Sequence, residues 1–246
     1  MKAVERTLSV LEALGRPRPL AEIATLTGLP KPTVHRILQV LVARGFARDA
    51  EDGVYAAGPR VLTVAGEALA ELDLAGTARP ILSALQRGVG GTVHLALRNG
   101  DEAFYVEKIE GGEPYSMASR VGLPLRLHST GIGKAILAFL PAAERDELLQ
   151  RLPLEPRTPS TLVSVEALRA ELERIRTRGY AIDDEENEAG VRCVAAPVVD
   201  HQGRVAGGLS VSSLVYVLSL ADAKRIAPEV VRAAADLSEL LGARAA

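Results

Sequence analysis

The chain has 246 residues, 48% of them hydrophobic and 24% charged, with a formal net charge of −2; this is enough for one large or two modest packed domains of an ordinary soluble protein. A single cysteine, Cys193, excludes an intrachain disulfide framework and a Cys-rich metal motif. Charges among the first 14 residues and the lack of a long apolar run exclude a signal peptide and a membrane span, so a cytoplasmic protein with no membrane partner is expected.

Charge is segregated along the chain. Residues 1–60 carry nine Lys or Arg against six Asp or Glu, and the remainder carries 20 against 25. A basic N-terminal piece on an acidic body suits a small nucleic-acid-reading head, because neutralising phosphates supplies most non-specific affinity. The spacing from Met1 to Leu14 predicts a helix with Val4, Leu8, Leu11 and Leu14 on its core face. Arg16-Pro17-Arg18-Pro19 then breaks the helix and reads as a solvated basic connection, with phosphate contacts by Arg16 and Arg18 as the alternative.

Residues Leu20 to Tyr55 organise this half. Leu20, Ile23, Ala24 and Thr27 fall at helical spacing, and Gly28 follows where a chain leaving a helix needs a positive φ. Pro32 suits the first turn of a second helix, Lys31 to Arg44, whose stripe Val34, Ile37, Leu38 and Leu41 faces the core. The opposite face presents Thr33, His35, Arg36 and Gln39, side chains suited to base edges and phosphates, with Lys31 and Arg48 expected on phosphates. Gly45 ends that helix. Phe46-Ala47-Arg48, a turn containing Asp52-Gly53, and Val54-Tyr55 then make a hairpin, so the whole reads as a winged helix-turn-helix. Helix pairs joined at a glycine also occur in proteins that never touch nucleic acid; the hairpin and the charge favour DNA.

Gly58-Pro59 marks a boundary, and Val61, Leu62, Ala65, Leu69 and Leu72 give the stripe of a linker helix over 60–76. The expected division is 1–59, 60–76 and 77–246. Thr77 to Arg87 reads as helix, and Val93 to Leu97, Asn99-Gly100 and Ala103 to Ile109 as a hairpin, with Tyr115 to Arg120 a further strand. Ser129-Thr130-Gly131-Ile132-Gly133-Lys134 opens a helix through Leu140, and Pro141 opens another. Ser164 caps a helix that buries Leu168, Leu172 and Ile175 and ends at Gly179. Tyr180 to Asp183, Val194 to Val199 and Val205 to Val211 read as strands. Leu220 to Leu241 closes the chain as two helical pieces broken near Pro228. Helices bracketing a mostly antiparallel sheet make an α+β domain.

The chain resembles the IclR (isocitrate lyase regulator-like) family of bacterial transcription factors through VERTLSVLEAL, LPKPTVHRILQVLVARGF, LHSTGIGKAIL and GYAIDDEENEAGVRCVAAPVVD. The last block keeps the family spacing of Gly179, Asp183, Glu186 and Cys193, with Val199 where an aromatic residue or His is usual. The chain begins almost at the first helix, so contacts made by an N-terminal arm do not carry over. The resemblance implies a winged helix-turn-helix, a linker helix and a GAF- or profilin-like effector-binding domain, assembled as a homodimer or homotetramer. It also implies double-stranded operator DNA and a small-molecule effector, often a small organic or aromatic acid, as partners. The family's effector pocket falls on Gly131, Ile132, Asp183, Cys193, Ser210 and Ser212. The residues agree: Ser210 and Ser212 share one side of a strand, and the glycines flanking Ile132 leave backbone N–H groups to meet an oxygen at a helix start.

Each of these residues also has a plainer role. The serines suit a solvated strand face, the glycines a helix cap, and Asp183 lies in an acidic run that reads as solvated charge. Cys193 suits a small buried residue first and a thiol contact second. An ionised Asp183 repels a bare carboxylate, so its expected partner is a ligand hydroxyl or hydrated carbonyl. His128 is either a donor to an acid or a packed histidine, and Arg120 and Arg126 are alternative counter-ions. Two other classes stand beside the regulator: an enzyme using Cys193 with His94, His128 or His201 as base, and a DNA-binding adaptor that dimerises without sensing. No nucleophile elbow, P-loop or metal-ligand spacing of the four histidines occurs, so neither catalysis nor a cofactor nor a metal is expected.

Overall fold

A computed structural model describes residues 2–50, 53–64, 74–112 and 117–243. They form two compact units, Met1–Asp73 and Leu74–Ala246. In the first, helix α1 (Ala3–Glu12) runs into a 3-10 turn, strand β1 (Arg18–Pro19) leads to α2 (Leu20–Thr27), and α3 (Lys31–Ala43) precedes β2 (Ala47–Asp49) and β3 (Val54–Ala57). Gly28 ends α2 in the left-handed region at φ +65°, a conformation that carries no Cβ penalty only for glycine. Val34, Leu38 and Leu41 of α3 pack with Val10, Leu14, Ile23 and Ala24.

Two expectations change in this unit. On α1, Val10 and Leu14 are buried while Val4 and Leu8 are exposed. Apolar residues line two sides of that helix, and the core selects the side that continues into the 3-10 turn. Arg18-Pro19 is a strand rather than a loop, pairing with Val54 and Tyr55 of β3 in a three-stranded sheet ordered β1-β3-β2. The Arg18 guanidinium turns back to the Ala13 carbonyl at 2.6 Å and the Glu22 carboxylate at 2.9 Å. Asp52 of the wing turn lies outside the described residues, as does most of the linker helix expected over 60–76; residues 59–64 are helical.

The second unit is built on a five-stranded antiparallel sheet ordered β5-β4-β8-β7-β6. Its strands are β4 (Thr92–Asn99), β5 (Glu102–Ile109), β6 (Ala181–Asp184), β7 (Val191–Val199) and β8 (Val205–Leu214). Helices α4 (Leu74–Val89) and α8 (Leu220–Leu240) cover one face through Leu82, Leu85, Ile226, Val230 and Leu237. The other face meets α5 (Gly131–Phe139), behind which α6 (Ala142–Arg151) and α7 (Val165–Arg178) complete a second apolar layer. This is an α+β architecture of helix, sheet and helix layers.

Here too the structure corrects details. Asn99 pairs with Glu102, so the hairpin loop is Gly100-Asp101, with Gly100 at φ +62°. Tyr115 and Ser116 lie outside the described residues, and 117–120 is irregular rather than strand. The Lys108 ammonium donates to the carbonyls of Met117 and Ser119 at 3.2 and 3.1 Å, satisfying groups that a strand would pair on a ladder. Pro228 does not break the last helix. An unbroken stripe from Ala223 through Ile226, Ala227, Val230, Ala233 and Ala234 to Leu237 is buried, and that burial outweighs the roughly 3 kcal/mol cost of an interior proline.

Candidate functional site

In the first unit, α3 carries the residues expected to meet DNA. Lys31, His35, Arg36 and Gln39 are exposed, Thr33 is half-buried, and Arg48 is exposed on β2. With Val34 and Leu38 fully buried, the helix offers one polar face, as a recognition helix does.

In the second unit, sheet register assembles a polar floor. Asp183 pairs with Cys193, Cys193 with Ser212 and Ser212 with Thr92, a row of four residues across four strands on one face. Ser210 and His94 pair in the adjacent row. Over this floor stands the start of α5. Thr130 caps it, its Oγ1 accepting from the Gly133 N–H at 3.0 Å and donating to the Arg126 carbonyl at 2.6 Å. The helix lies close because glycine faces it: a Cβ at Gly208 would come within 2.9 Å of Ile132 Cγ2, and one at Gly131 within 3.4 Å of Cys193 Cβ. Between α5, the floor and residues 117–126 lies a cavity of about 370 Å³, lined by Gly131, Ile132, Asp183, Cys193, Ser210 and Ser212 together. Such a volume suits a small metabolite, and the first-turn N–H groups of a helix attract oxygen.

The electrostatics of the floor follow from burial. Asp183 is 2% exposed; its Oδ1 accepts from the N–H groups of Glu186 at 2.8 Å and Asn187 at 3.3 Å. Burial still pushes its carboxyl up to about 7, partly offset by Lys134. Lys134, fully buried on α5, donates to the Ile182 carbonyl at 2.7 Å and pairs with Glu186. His94 Nε2 lies 2.7 Å from Ser119 Oγ, and burial followed by the Lys108 charge pushes the imidazole down to about 3. The Cys193 thiol is pushed up by burial and then by Asp183, the reverse of the activation a nucleophilic cysteine needs.

The IclR helix-turn-helix domain matches residues 3–50, and the bacterial transcriptional regulator IclR C-terminal domain matches residues 66–239. The chain belongs to the IclR family of bacterial transcriptional regulators. The HTH-type transcriptional regulator XynR of Escherichia coli (strain K12) is 37% identical to it over 246 residues, covering 98% of each chain. The crystal structure of Thermotoga maritima IclR shares 32% identity over 97% of this chain and 98% of its own, with a TM-score of 0.67. An IclR homolog from Microbacterium hydrocarbonoxydans, crystallised with 4-hydroxybenzoate, shares 25% identity over 97% of this chain and 100% of its own, with a TM-score of 0.61.

Within this IclR-family fold several site neighbours escape sequence reasoning. Tyr105, Ser119 and Arg157 line the cavity without standing in any motif; Asn187 lies in the GYAIDDEENEAGVRCVAAPVVD block and Lys134 in the STGIGKA stretch, but the residue types alone do not show their place at the site. Of the alternative groups, Arg126 lines the cavity, whereas Arg120 is exposed elsewhere. His128 is buried, its Nε2 2.9 Å from the Glu155 carbonyl, a packed histidine. The serines are 4% and 3% exposed, so they do not form a solvated strand face. The alternation of β4 was the one available signal for His94, which shares a strand face with Thr92 and Ala96.

Proposed function

We propose that this IclR-type regulator binds operator DNA through α3 and that a small organic or aromatic acid, held in the cavity beneath α5, modulates that binding. Arg36 meets a guanine or phosphate, Thr33, His35 and Gln39 approach base edges, and Lys31 and Arg48 hold phosphates. One such helix makes too few contacts for operator affinity, so the protein acts as at least a homodimer on a near-palindromic site. The observation that carries the effector reading is the convergence of Gly131, Ile132, Asp183, Cys193, Ser210 and Ser212 on one 370 Å³ cavity. The ligand complexed with the Microbacterium homolog, 4-hydroxybenzoate, is an acid of fitting size. The cytoplasmic location expected from the sequence follows from such a role.

A titration of fragments from the gene's own promoter region, with and without a panel of small acids, tests this. Arg36→Ala is expected to weaken operator binding by about 1–3 kcal/mol and to relax preference at one base position if it reads a base. Ser210→Ala with Ser212→Ala is expected to leave DNA binding intact and abolish the acid response. An unchanged response would overturn the role given to the two serines, and a wild-type protein whose operator binding no acid alters would support the non-sensing adaptor instead.

A further inference from the structure

The cavity floor poses a charge problem. Lys134 is the cation whose charge acts on Asp183, but its ammonium is already committed to Glu186 and the Ile182 carbonyl. Asp183 therefore has only backbone N–H groups on Oδ1 and the uncharged Cys193 thiol beside its carboxyl, with no cation of its own, and an acid proton belongs on Oδ2. The other groups of the floor itself, on β4, β5 and β7, do not supply positive charge. His94 of β4 is neutral, Cys193 of β7 is a thiol, and Tyr105 of β5 is held protonated by burial. Glu188 adds a second acid to the wall, while Arg126 and Arg157 stand on the cavity lining with solvent-exposed side chains. Gly131 puts the α5 start beside Asp183, since a Cβ there would lie 3.8 Å from Asp183 Cβ. An anion drawn to that helix start thus arrives next to a buried carboxyl, and two carboxylates sharing a dry site do not both stay ionised.

We propose that Asp183 meets the effector's acid group as a carboxylic acid, so that an anionic effector enters the cavity together with one proton taken from solvent onto Asp183 Oδ2. This rests on the effector reading above. It also refines the role of Asp183: a neutral carboxyl donates a hydrogen bond to the anion, where the ionised form would repel it. The ammonium of Lys134 stays with Glu186 throughout, and no other group on the floor changes its proton.

The test is calorimetric binding of 4-hydroxybenzoate and of its neutral analogue 4-hydroxybenzamide to the full-length protein. Titrations run from about pH 6 to about pH 8 in buffers of different ionisation enthalpy. The expected result for the acid is an uptake that rises from near zero to about one proton across that range, with affinity falling about tenfold per unit once Asp183 is ionised. The amide is expected to bind without proton uptake. Asp183→Asn, which keeps an oxygen acceptor for the Glu186 and Asn187 N–H groups, is expected to bind the acid with little pH dependence. Acid binding without proton uptake in the wild type overturns the proton inference alone. Absence of binding by either compound overturns the aromatic-acid reading, and the inference with it.

Discussion

Asp183 shows how far a single residue can depart from its sequence neighbourhood. The run Asp183-Asp184-Glu185-Glu186 reads as solvated charge, yet strand register and the turn after β6 bury its first and last members while Asp184 and Glu185 stay half-buried. The sequence carries the acids but not the alternation that selects between them, because where β6 ends is set by its pairing with β7. Lys134 was illegible for a similar reason: a helical lysine is ordinarily solvated, and only contact with Glu186 makes its complete burial tolerable. The raised Asp183 carboxyl has a thermodynamic consequence. Its folded value of about 7 lies above the ordinary 3.8, so between those values the native state holds a proton that the unfolded chain releases. Its contribution to stability is present at acid pH, falls as pH rises through that window and is then lost. Ligand-free Asp183→Asn is therefore expected to be more stable than wild type near pH 8, by roughly 2–4 kcal/mol, and to converge with it near pH 4. Urea denaturation at a series of pH values measures this; a difference that does not change with pH would show that Asp183 titrates normally.

At the scale of elements, local signals were read correctly wherever backbone chemistry alone decides. Ser164 caps α7 through the Ala167 N–H at 3.1 Å, and Gly179 closes that helix at φ +85°, both visible in the residue types. The readings failed where packing overrules local preference, as at Pro228 inside α8, or where two apolar stripes compete, as on α1. The α5 start combines both kinds of information. Its GIG sequence announces a close approach, but only the structure tells which glycine is indispensable. A Cβ at Gly133 would lie 2.4–2.6 Å from backbone atoms of Arg126 and Leu127, which cannot move aside as a side chain can. At Gly131 the closest atom is Ala195 Cβ at 3.2 Å. Gly133→Ala is thus expected to force the helix and the Arg126–Leu127 segment apart, lowering stability by about 1–3 kcal/mol and weakening acid binding. Gly131→Ala should cost less stability while narrowing the cavity. Thermal denaturation alongside calorimetric binding separates the two; equal losses of stability would contradict the close approach at Gly133.

At the scale of the whole molecule, the charge asymmetry between the N-terminal head and the rest of the chain has a physical consequence. A head with a net positive charge gains affinity for any duplex from counterion release, whereas an acidic body gains none and is free to be specialised for a ligand. The chain divides into its two compact units between Asp73 and Leu74. Ligand and DNA can influence one another only if the acid has different affinities for states that hold paired heads differently, and that difference must be carried through the segment joining the units. A flexible Gly-Ser insertion at 73–76 removes the mechanical connection and leaves both binding surfaces intact. It is expected to preserve acid binding measured by calorimetry and salt-sensitive operator binding measured by fluorescence anisotropy. The change in operator affinity produced by saturating acid should fall to near zero. By reciprocity, the change in acid affinity produced by saturating operator should vanish with it. An insertion variant in which the acid still shifts operator affinity by the wild-type factor would mean that the coupling runs by another route, such as contact between effector domains and DNA-bound heads.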